Sequence, residues 1–195
     1  MVINKTDLAP GIVNYSNIFT ESINYINSIE DMSKSNILNW GSAGVLHDQQ
    51  GKEGVSKKAR DTDFIYLPDP NKQEDGILYE FSKNLRNNVL PCLNDYFGQY
   101  FVSIEQYEPP QLLRYGSGQH FHEHIDDHPQ LTRRVSFSYY INENYTGGEI
   151  EFPKFNLKVK PKAFDLLVFP SNYVYLHKVH PVISGLRYVV VQWIR

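Results

Sequence analysis

Residues 186–194 read LRYVVVQWI, and this stretch decides the fold. Val, Tyr, Trp and Ile favour strands, and they follow one another here without the spacing of an amphipathic helix. We therefore expect a strand that is buried in a sheet. Arg187, Val189, Val191 and Trp193 alternate along it, so that all four can share one face. A buried arginine within an apolar face is costly without a bound anion, and Arg187 therefore indicates an anion site.

Further short strands are predicted upstream of this stretch, separated by Gly, Pro and Asn. They cover residues 101–107, 111–115, 133–141, 149–152, 157–160 and 163–169. Two helices precede them, one near residues 20–31 and one from about residue 75 to residue 88, where Pro91 is expected to interrupt it. Helices followed by a run of strands predict an α+β fold, with N-terminal helices that buttress a β-sandwich or barrel. We expect one domain over residues 1–195, with its β core at about 100–195.

Composition narrows the class of protein. The chain has 195 residues and a formal net charge of −3, which gives no general attraction to nucleic acid or to an anionic membrane. The single cysteine, Cys92, excludes an intrachain disulfide. The N-terminus lacks a signal-peptide pattern, and no apolar run approaches the roughly 20 residues that span a bilayer. These features predict a cytoplasmic protein that binds no membrane, and they disfavour nucleic acid as a partner.

Four histidines and two aspartates lie in residues 119–128, QHFHEHIDDH. Because side chains two apart in a strand point the same way, His124 and Asp126 can face one point. A third ligand must come from elsewhere, and His177 and His180 are the candidates. Two His and one carboxylate leave three adjacent positions open on a metal, as non-haem iron oxygenases require.

An all-histidine zinc site is the alternative interpretation of the same cluster. His120 and His122 share the strand parity of His124, so the three imidazoles can lie on one side. That site would leave Asp126 without a role.

Five ordered blocks within residues 111–194 carry a family resemblance. They are YGSGQHFHEHID (115–126), RRVSFSYYIN (133–142), GGEIEFP (147–153), VKP with DLLVF (159–161 and 165–169) and HKVHPVISGLR (177–187). The first resembles the motif Y-x-x-G-Q-x-[YF]-x-x-H-x-D, and the last resembles H-x-x-x-P-V-x-x-G-x-[KR]. Together they are similar to the prolyl 4-hydroxylase-like Fe(II)/2-oxoglutarate-dependent dioxygenases.

This resemblance implies a double-stranded β-helix, or jelly roll, with iron at one mouth. It selects His177 as the ligand that joins His124 and Asp126 in the catalytic metal site. It places Tyr115, Tyr140 and Arg187 at positions that bind 2-oxoglutarate. The implied cofactors are Fe(II), the co-substrate 2-oxoglutarate and O2, and ascorbate is a further candidate.

The resemblance also implies a substrate, a prolyl residue of a peptide or protein that is hydroxylated at C4. Arg133 and Trp193 fall where the family lines its substrate pocket. The polar residues 47–63 fall where the family has a loop that folds over the peptide, although their composition alone favours a plain connector.

Rival functions remain at this stage. A non-catalytic jelly-roll binding module would lack the metal ligands or the anion clamp, and a zinc hydrolase would work without O2 or 2-oxoglutarate. The same oxygenase chemistry on a free amino acid or a nucleic acid is a further alternative. For a nucleic acid the only hint is the basic patch at residues 57–60, KKAR, which is typical of a solvated surface.

Overall fold

The computed structural model of the chain describes residues 4–46, 53–54, 56–72, 74–130 and 132–195. The helices are α1 (Ser22–Lys34) and α2 (Ile77–Tyr100). The strands of the first half are β1 (Asn4–Ala9), β2 (Ile12–Ser16), β3 (Gly41–Ser42), β4 (Val45–Leu46), β5 (Glu53–Gly54), β6 (Arg60–Asp61) and β7 (Asp63–Tyr66). Those of the second half are β8 (Gln111–Tyr115), β9 (His120–His124), β10 (Val135–Tyr140), β11 (Thr146–Gly147), β12 (Ile150–Phe152), β13 (Leu157–Val159), β14 (Leu166–Pro170), β15 (His177–Val179), β16 (Val182–Ser184) and β17 (Arg187–Ile194). Short 3-10 turns follow β12 and β14, at Pro153–Phe155 and Tyr173–Tyr175.

Two antiparallel sheets face each other. The large sheet has the strand order β1-β2-β14-β10-β17-β8-β7-β3, and the small sheet has the order β13-β12-β15-β9-β6. Leu113, Tyr140 and Val189 of the large sheet share a buried cluster with Ile150 and Val179 of the small sheet. The predicted α+β jelly roll is confirmed by this arrangement.

The strands β10 and β17 lie at the centre of the large sheet. All six residues of β10 are buried, and all residues of β17 are buried except the partly exposed Val191. A strand that is covered on both faces reads as a continuous apolar run, which explains why LRYVVVQWI shows no helical spacing. One face meets the small sheet, and the other face meets the helices.

The two helices cover the outer face of the large sheet. Their buried stripes consist of Ile26 and Ile29 on α1 and of Phe81, Leu85 and Val89 on α2. These side chains belong to one apolar cluster with residues of β10, β14 and β17. Burying a side chain of this size contributes roughly 1.5–3 kcal/mol, so the helices stabilise the sheet as predicted.

Two predictions about the middle of the chain are wrong. The helix α2 runs through Pro91 to Tyr100, because Leu93 and Tyr96 beyond the proline are buried, and this packing outweighs the hydrogen bond that proline removes. Residues 101–107 do not form a strand. Phe101 ends α2 in the left-handed region, with φ 53°, and the segment pairs only at its end, where Glu105 and Gln106 form backbone hydrogen bonds with Arg195 and Tyr107 forms an isolated bridge to Ile194.

The first 67 residues contribute more sheet than predicted. The hairpin of β1 and β2 extends the large sheet at one edge, and β7 and β3 extend it at the other. The structure describes only part of the polar segment 47–63, because residues 47–52 and 55 lie outside the described residues. The prediction that this segment is a lid falls on those residues and stays a prediction. Its described end is not a loop, because Arg60 and Asp61 pair with β9. Within the described chain, neither helix is long and apolar enough to cross a bilayer.

Candidate metal centre and co-substrate cavity

The strands β9 and β15 bring two histidines together. They pair in antiparallel register with His124 opposite His177, and the two imidazole centroids are 4.2 Å apart. Asp126 follows two residues after His124. Its Oδ1 lies 3.6 Å from His124 Nε2, and its Oδ2 lies 3.7 Å from His177 Nε2. All three ligand atoms lie within 4.8 Å of one another, so that one small cation can contact them all.

Backbone carbonyls fix the orientation of both imidazoles. His124 Nδ1 lies 2.7 Å from the carbonyl oxygen of His122, and His177 Nδ1 lies 3.0 Å from that of Tyr175. A ring that donates Nδ1–H in this way presents an unprotonated Nε2, which is the metal-binding form. Burial and, to a smaller extent, the neighbouring His177 together lower the pKa of His124 to about 3, so that the ring is neutral at ordinary pH.

Aromatic rings surround the two histidines. Phe121 stacks on His124 with a centroid distance of 3.5 Å and an interplanar angle of 14°. Phe152 and Phe169 lie 5.5 Å and 4.9 Å from His177, measured between ring centroids. These rings leave the imidazoles little room to turn, and they shield the site from water.

The other candidate histidines lie outside this group. Among the described residues, the three ligands form the single cluster of its kind. His120 contacts the carbonyl oxygens of Gly118 and Lys58 through its two ring nitrogens. His180 pairs with Glu151, with Nε2 2.5 Å from Oε2. The all-histidine zinc site is therefore not assembled in this structure.

A narrow inner cavity of about 40 Å³ extends from the metal ligands to Arg187. Arg187 is 2% exposed, and its Nε and Nη1 have no hydrogen-bond partner among the described residues. Its guanidinium carbon lies 4.7 Å from the ring centroid of Tyr115 and 5.1 Å from that of Tyr140. A buried cation without a counter-charge costs several kcal/mol, so the cavity is suited to an anion.

Two tyrosine hydroxyls add neutral donors at this end. Those of Tyr140 and Tyr145 are buried, and neither has a hydrogen-bond partner in the part of the chain that the structure describes. Burial raises the pKa of Tyr140 to about 12, so that its hydroxyl keeps the proton that it would donate. Tyr145 was not predicted as a site residue, because it lies between two of the sequence blocks, just before Gly147 and Gly148, and is part of no strand with alternating side chains. A cavity with a metal triad at one end and these donors at the other fits a small dicarboxylate such as 2-oxoglutarate.

Gly148 leaves the space that Arg187 occupies. Its φ of +66° is in the left-handed region, and an added Cβ would lie 3.0 Å from Arg187 Cδ and 3.1 Å from Val182 Cγ2. We expect Gly148→Ala to lower the free energy of unfolding by about 1–2 kcal/mol, the cost of the left-handed backbone. It should also weaken 2-oxoglutarate binding, because the arginine must move.

Thermal unfolding and ligand titration measure both effects of Gly148→Ala. Gly98→Ala is the matched control, because it adds the same methyl group to α2 where nothing lies within 4 Å. A Gly148→Ala protein with wild-type stability and wild-type affinity would contradict the close-approach argument.

An outer groove of about 710 Å³ opens above the metal ligands. Phe64, Ile125 and Trp193 line it together with Arg133. Arg133 is largely engaged: Nε and Nη2 donate to the Glu108 carboxylate at 2.9 Å and 2.6 Å, and Nη1 donates to the backbone oxygen of Asp126 at 3.0 Å. Its guanidinium also lies 4.0 Å above the ring of Trp193. The two predicted substrate residues thus touch each other at the groove wall.

Comparisons with known proteins point to one superfamily. Residues 110–195 match the family model of the 2OG-Fe(II) oxygenase superfamily. A putative prolyl 4-hydroxylase of Acanthamoeba polyphaga mimivirus is 26% identical over 172 residues, which are 78% of this chain and 65% of the relative. A PKHD-type hydroxylase of Pseudoalteromonas atlantica is 32% identical over 124 residues, 56% of this chain and 53% of the relative. The chain thus spans two thirds or less of these curated relatives.

Solved structures show the same fold. A Pseudomonas putida prolyl-4-hydroxylase superposes with a TM-score of 0.69 at 21% identity, over 95% of this chain and 92% of that one. The viral collagen prolyl hydroxylase of Paramecium Bursaria Chlorella virus-1 gives a TM-score of 0.65 at 22% identity, over 95% and 96%. Residues 110–195 thus match the family model of the 2OG-Fe(II) oxygenase superfamily, and the chain is similar to prolyl 4-hydroxylases in sequence and shares the fold of these solved structures.

Proposed function

We propose that this chain is an Fe(II)- and 2-oxoglutarate-dependent hydroxylase that uses O2. The observation that carries the proposal is the buried guanidinium of Arg187, two of whose nitrogens have no partner among the described residues, at the end of a cavity that begins at His124, Asp126 and His177. A binding module that only kept the fold would have no need for a buried cation without a counter-charge. A zinc hydrolase would not need it either.

In this proposal, His124, Asp126 and His177 would hold the metal, and two histidines with one carboxylate are a ligand set that suits Fe(II). When bound, Fe(II) would couple two reactions: 2-oxoglutarate is decarboxylated to succinate and CO2, and one oxygen atom of O2 is inserted into a substrate C–H bond. Arg187 binds the far carboxylate of the co-substrate through its planar pair of donors. Tyr140 and Tyr145 add hydroxyl donors, and Tyr115 covers the guanidinium face.

We further propose that the substrate is a prolyl residue of a peptide or protein. The outer groove has a volume of about 710 Å³, and its apolar wall includes Trp193, whose ring can pack against a pyrrolidine. Proline suits such a groove because its fixed φ makes an extended, pre-ordered ligand. The printed names of the relatives, prolyl 4-hydroxylase and collagen prolyl hydroxylase, agree with this substrate class.

We also propose that residues 1–195 form one domain. The hairpin of β1 and β2 pairs with β14, and α1 and α2 share the core of the large sheet. The N-terminal half therefore has no core of its own.

The test is a mass-spectrometric assay with Fe(II), 2-oxoglutarate and O2. The panel holds proline-containing peptides, the same peptides with alanine for proline, free proline, free lysine and methylated single-stranded DNA. We expect a gain of one oxygen atom, about 16 Da, on the proline peptides alone, with an equal amount of succinate. Product without O2 or without 2-oxoglutarate would contradict oxygenase chemistry. Oxidation of only the DNA or a free amino acid would reject proline as the substrate and leave the iron chemistry intact.

A further inference from the structure

A second buried guanidinium lies where the outer groove narrows into the inner cavity. Arg60 is 7% exposed and stands on β6, opposite Phe121 of β9. Both cavities are lined by Arg60, and the residues that they share with it include Phe121, Asp126 and Trp193. A substrate side chain that travels from the groove to the metal must pass this point, which we call the neck.

The guanidinium of Arg60 is held through Nη1, whereas its Nε makes no hydrogen bond to the described residues. Its Nη1 donates to the carbonyl oxygen of Gly44 at 3.1 Å, and its guanidinium carbon lies 4.8 Å from the ring centroid of Phe121. These contacts set the plane of the group. Its Nε is buried and has no hydrogen-bond partner among the described residues. No carboxylate of those residues forms an ion pair with Arg60, so this donor is available to a ligand, and the Asp126 carboxylate lines the same neck.

Arg133 is less suited to take a ligand at this point. Three of its nitrogens already donate, two to Glu108 and one to the backbone of Asp126. An unmade hydrogen bond on a buried charged group is costly, whereas a donor that is already paired gains little from a new acceptor. The basic patch 57–60 thus contains one residue, Arg60, that is buried rather than solvated.

We propose that Arg60 Nε donates a hydrogen bond to the main-chain carbonyl oxygen of the substrate residue that is presented to the metal. This inference rests on the proposed function and deepens it, because it makes Arg60 a determinant of peptide substrates. A prolyl residue has no backbone N–H, so its carbonyl oxygen is the only main-chain group through which the enzyme can hold it. Arg60 Nε is a charged donor at the neck that can bind this carbonyl oxygen, and the hydrogen bond from Nη1 to Gly44 fixes its direction.

Kinetics of Arg60→Gln and Arg60→Lys test the assignment. We expect the KM for a proline peptide to rise about ten- to hundredfold in both, as the loss of a hydrogen bond from a charged donor implies. Lysine keeps the charge and the stem, but it has no donor at the Nε position. The KM for 2-oxoglutarate, Fe(II) binding and peptide-independent 2-oxoglutarate turnover should stay within about twofold of wild type. The matched control is Lys57→Gln, which removes one exposed charge from the same turn and should change none of these values.

Each other outcome overturns the assignment. A raised KM for 2-oxoglutarate with an unchanged peptide KM would place Arg60 against the co-substrate. Equal kinetics in all variants would leave it without a role. Losses of stability and of every kinetic parameter together in Arg60→Lys would make it purely structural. A wild-type protein that consumes no 2-oxoglutarate under any condition would instead reject the proposed function, so the two failures are distinguishable.

Discussion

His177→Ala should abolish 2-oxoglutarate turnover. His177 is one of only two imidazoles in the metal cluster of the described residues, and its ring is buried, so no nearby group can replace it. Changes in the residues that merely orient a ligand already cost about ten- to hundredfold in metal affinity or activity. We expect the loss of the ligand itself to exceed that range. Anaerobic Fe(II) binding and the succinate formed per enzyme measure the two effects separately.

His180→Ala is the matched control for this prediction. His180 is the other distal candidate from the sequence, three residues away, and it pairs with Glu151 instead. We expect wild-type Fe(II) affinity and turnover in this variant. If His180→Ala loses iron while His177→Ala keeps it, the distal ligand has been assigned to the wrong residue. The Ala variants of His124 and Asp126 should behave like His177→Ala.

Arg187→Ala should raise the KM for 2-oxoglutarate by two orders of magnitude or more. The removal of one partner from a buried charged pair costs roughly 3–5 kcal/mol, and each 1.4 kcal/mol is tenfold in affinity. Arg187→Lys should lose less, because it keeps the charge but not the planar pair of donors. Steady-state kinetics over a wide range of 2-oxoglutarate concentrations measure the effect. An unchanged KM in both variants would refute the anion clamp.

The same residue gives an opposite prediction for stability. Without the co-substrate, the guanidinium is a buried charge without a counter-charge, so Arg187→Met should not lower the melting temperature and can raise it. The addition of 2-oxoglutarate with the metal should raise the melting temperature of the wild type and leave that of Arg187→Met unchanged. A large destabilisation of the ligand-free Arg187→Met protein would mean that Arg187 serves the fold rather than a ligand.

Local sequence pattern was sufficient for the strands that are buried on both faces. The runs around β10 and β17 are rich in strand-favouring apolar and aromatic residues, and the alternation of side chains along β17 also predicted the inward direction of Arg187. Strand parity likewise predicted that His124 and Asp126 would converge. It could not choose between His177 and His180, and this choice came from the family resemblance. The structure shows the physical basis, which is the pairing of β15 with β9.

The elements that pattern missed depend on contacts between distant parts of the chain. Residues 101–107 contain strand-favouring aromatic residues, but Phe101 ends α2, and the segment that follows pairs only over its last few residues, with the C-terminal end of β17 and Arg195. Arg60 stands in a polar, basic stretch that favours a solvated loop, and its burial follows from two residues of pairing with β9. Tyr145 is placed by the turn around Gly147 and Gly148. These contacts join residues that are far apart in the chain, so they leave no periodic pattern in the local sequence.

The cross-strand position of the two histidines has a consequence for how the protein can diversify. Because His124 and His177 face each other across a backbone ladder, their spacing depends on hydrogen bonds between β9 and β15. The 52 residues between them in the chain can lengthen, shorten or change composition in their turns without moving the ligands. A slip of one residue in the ladder would turn one imidazole to the opposite side of the sheet. The turns at the groove are therefore free to evolve new substrate preferences, whereas the pairing of His124 with His177 must be kept, next to the irregularity that the ladder already has between His177 and Val179.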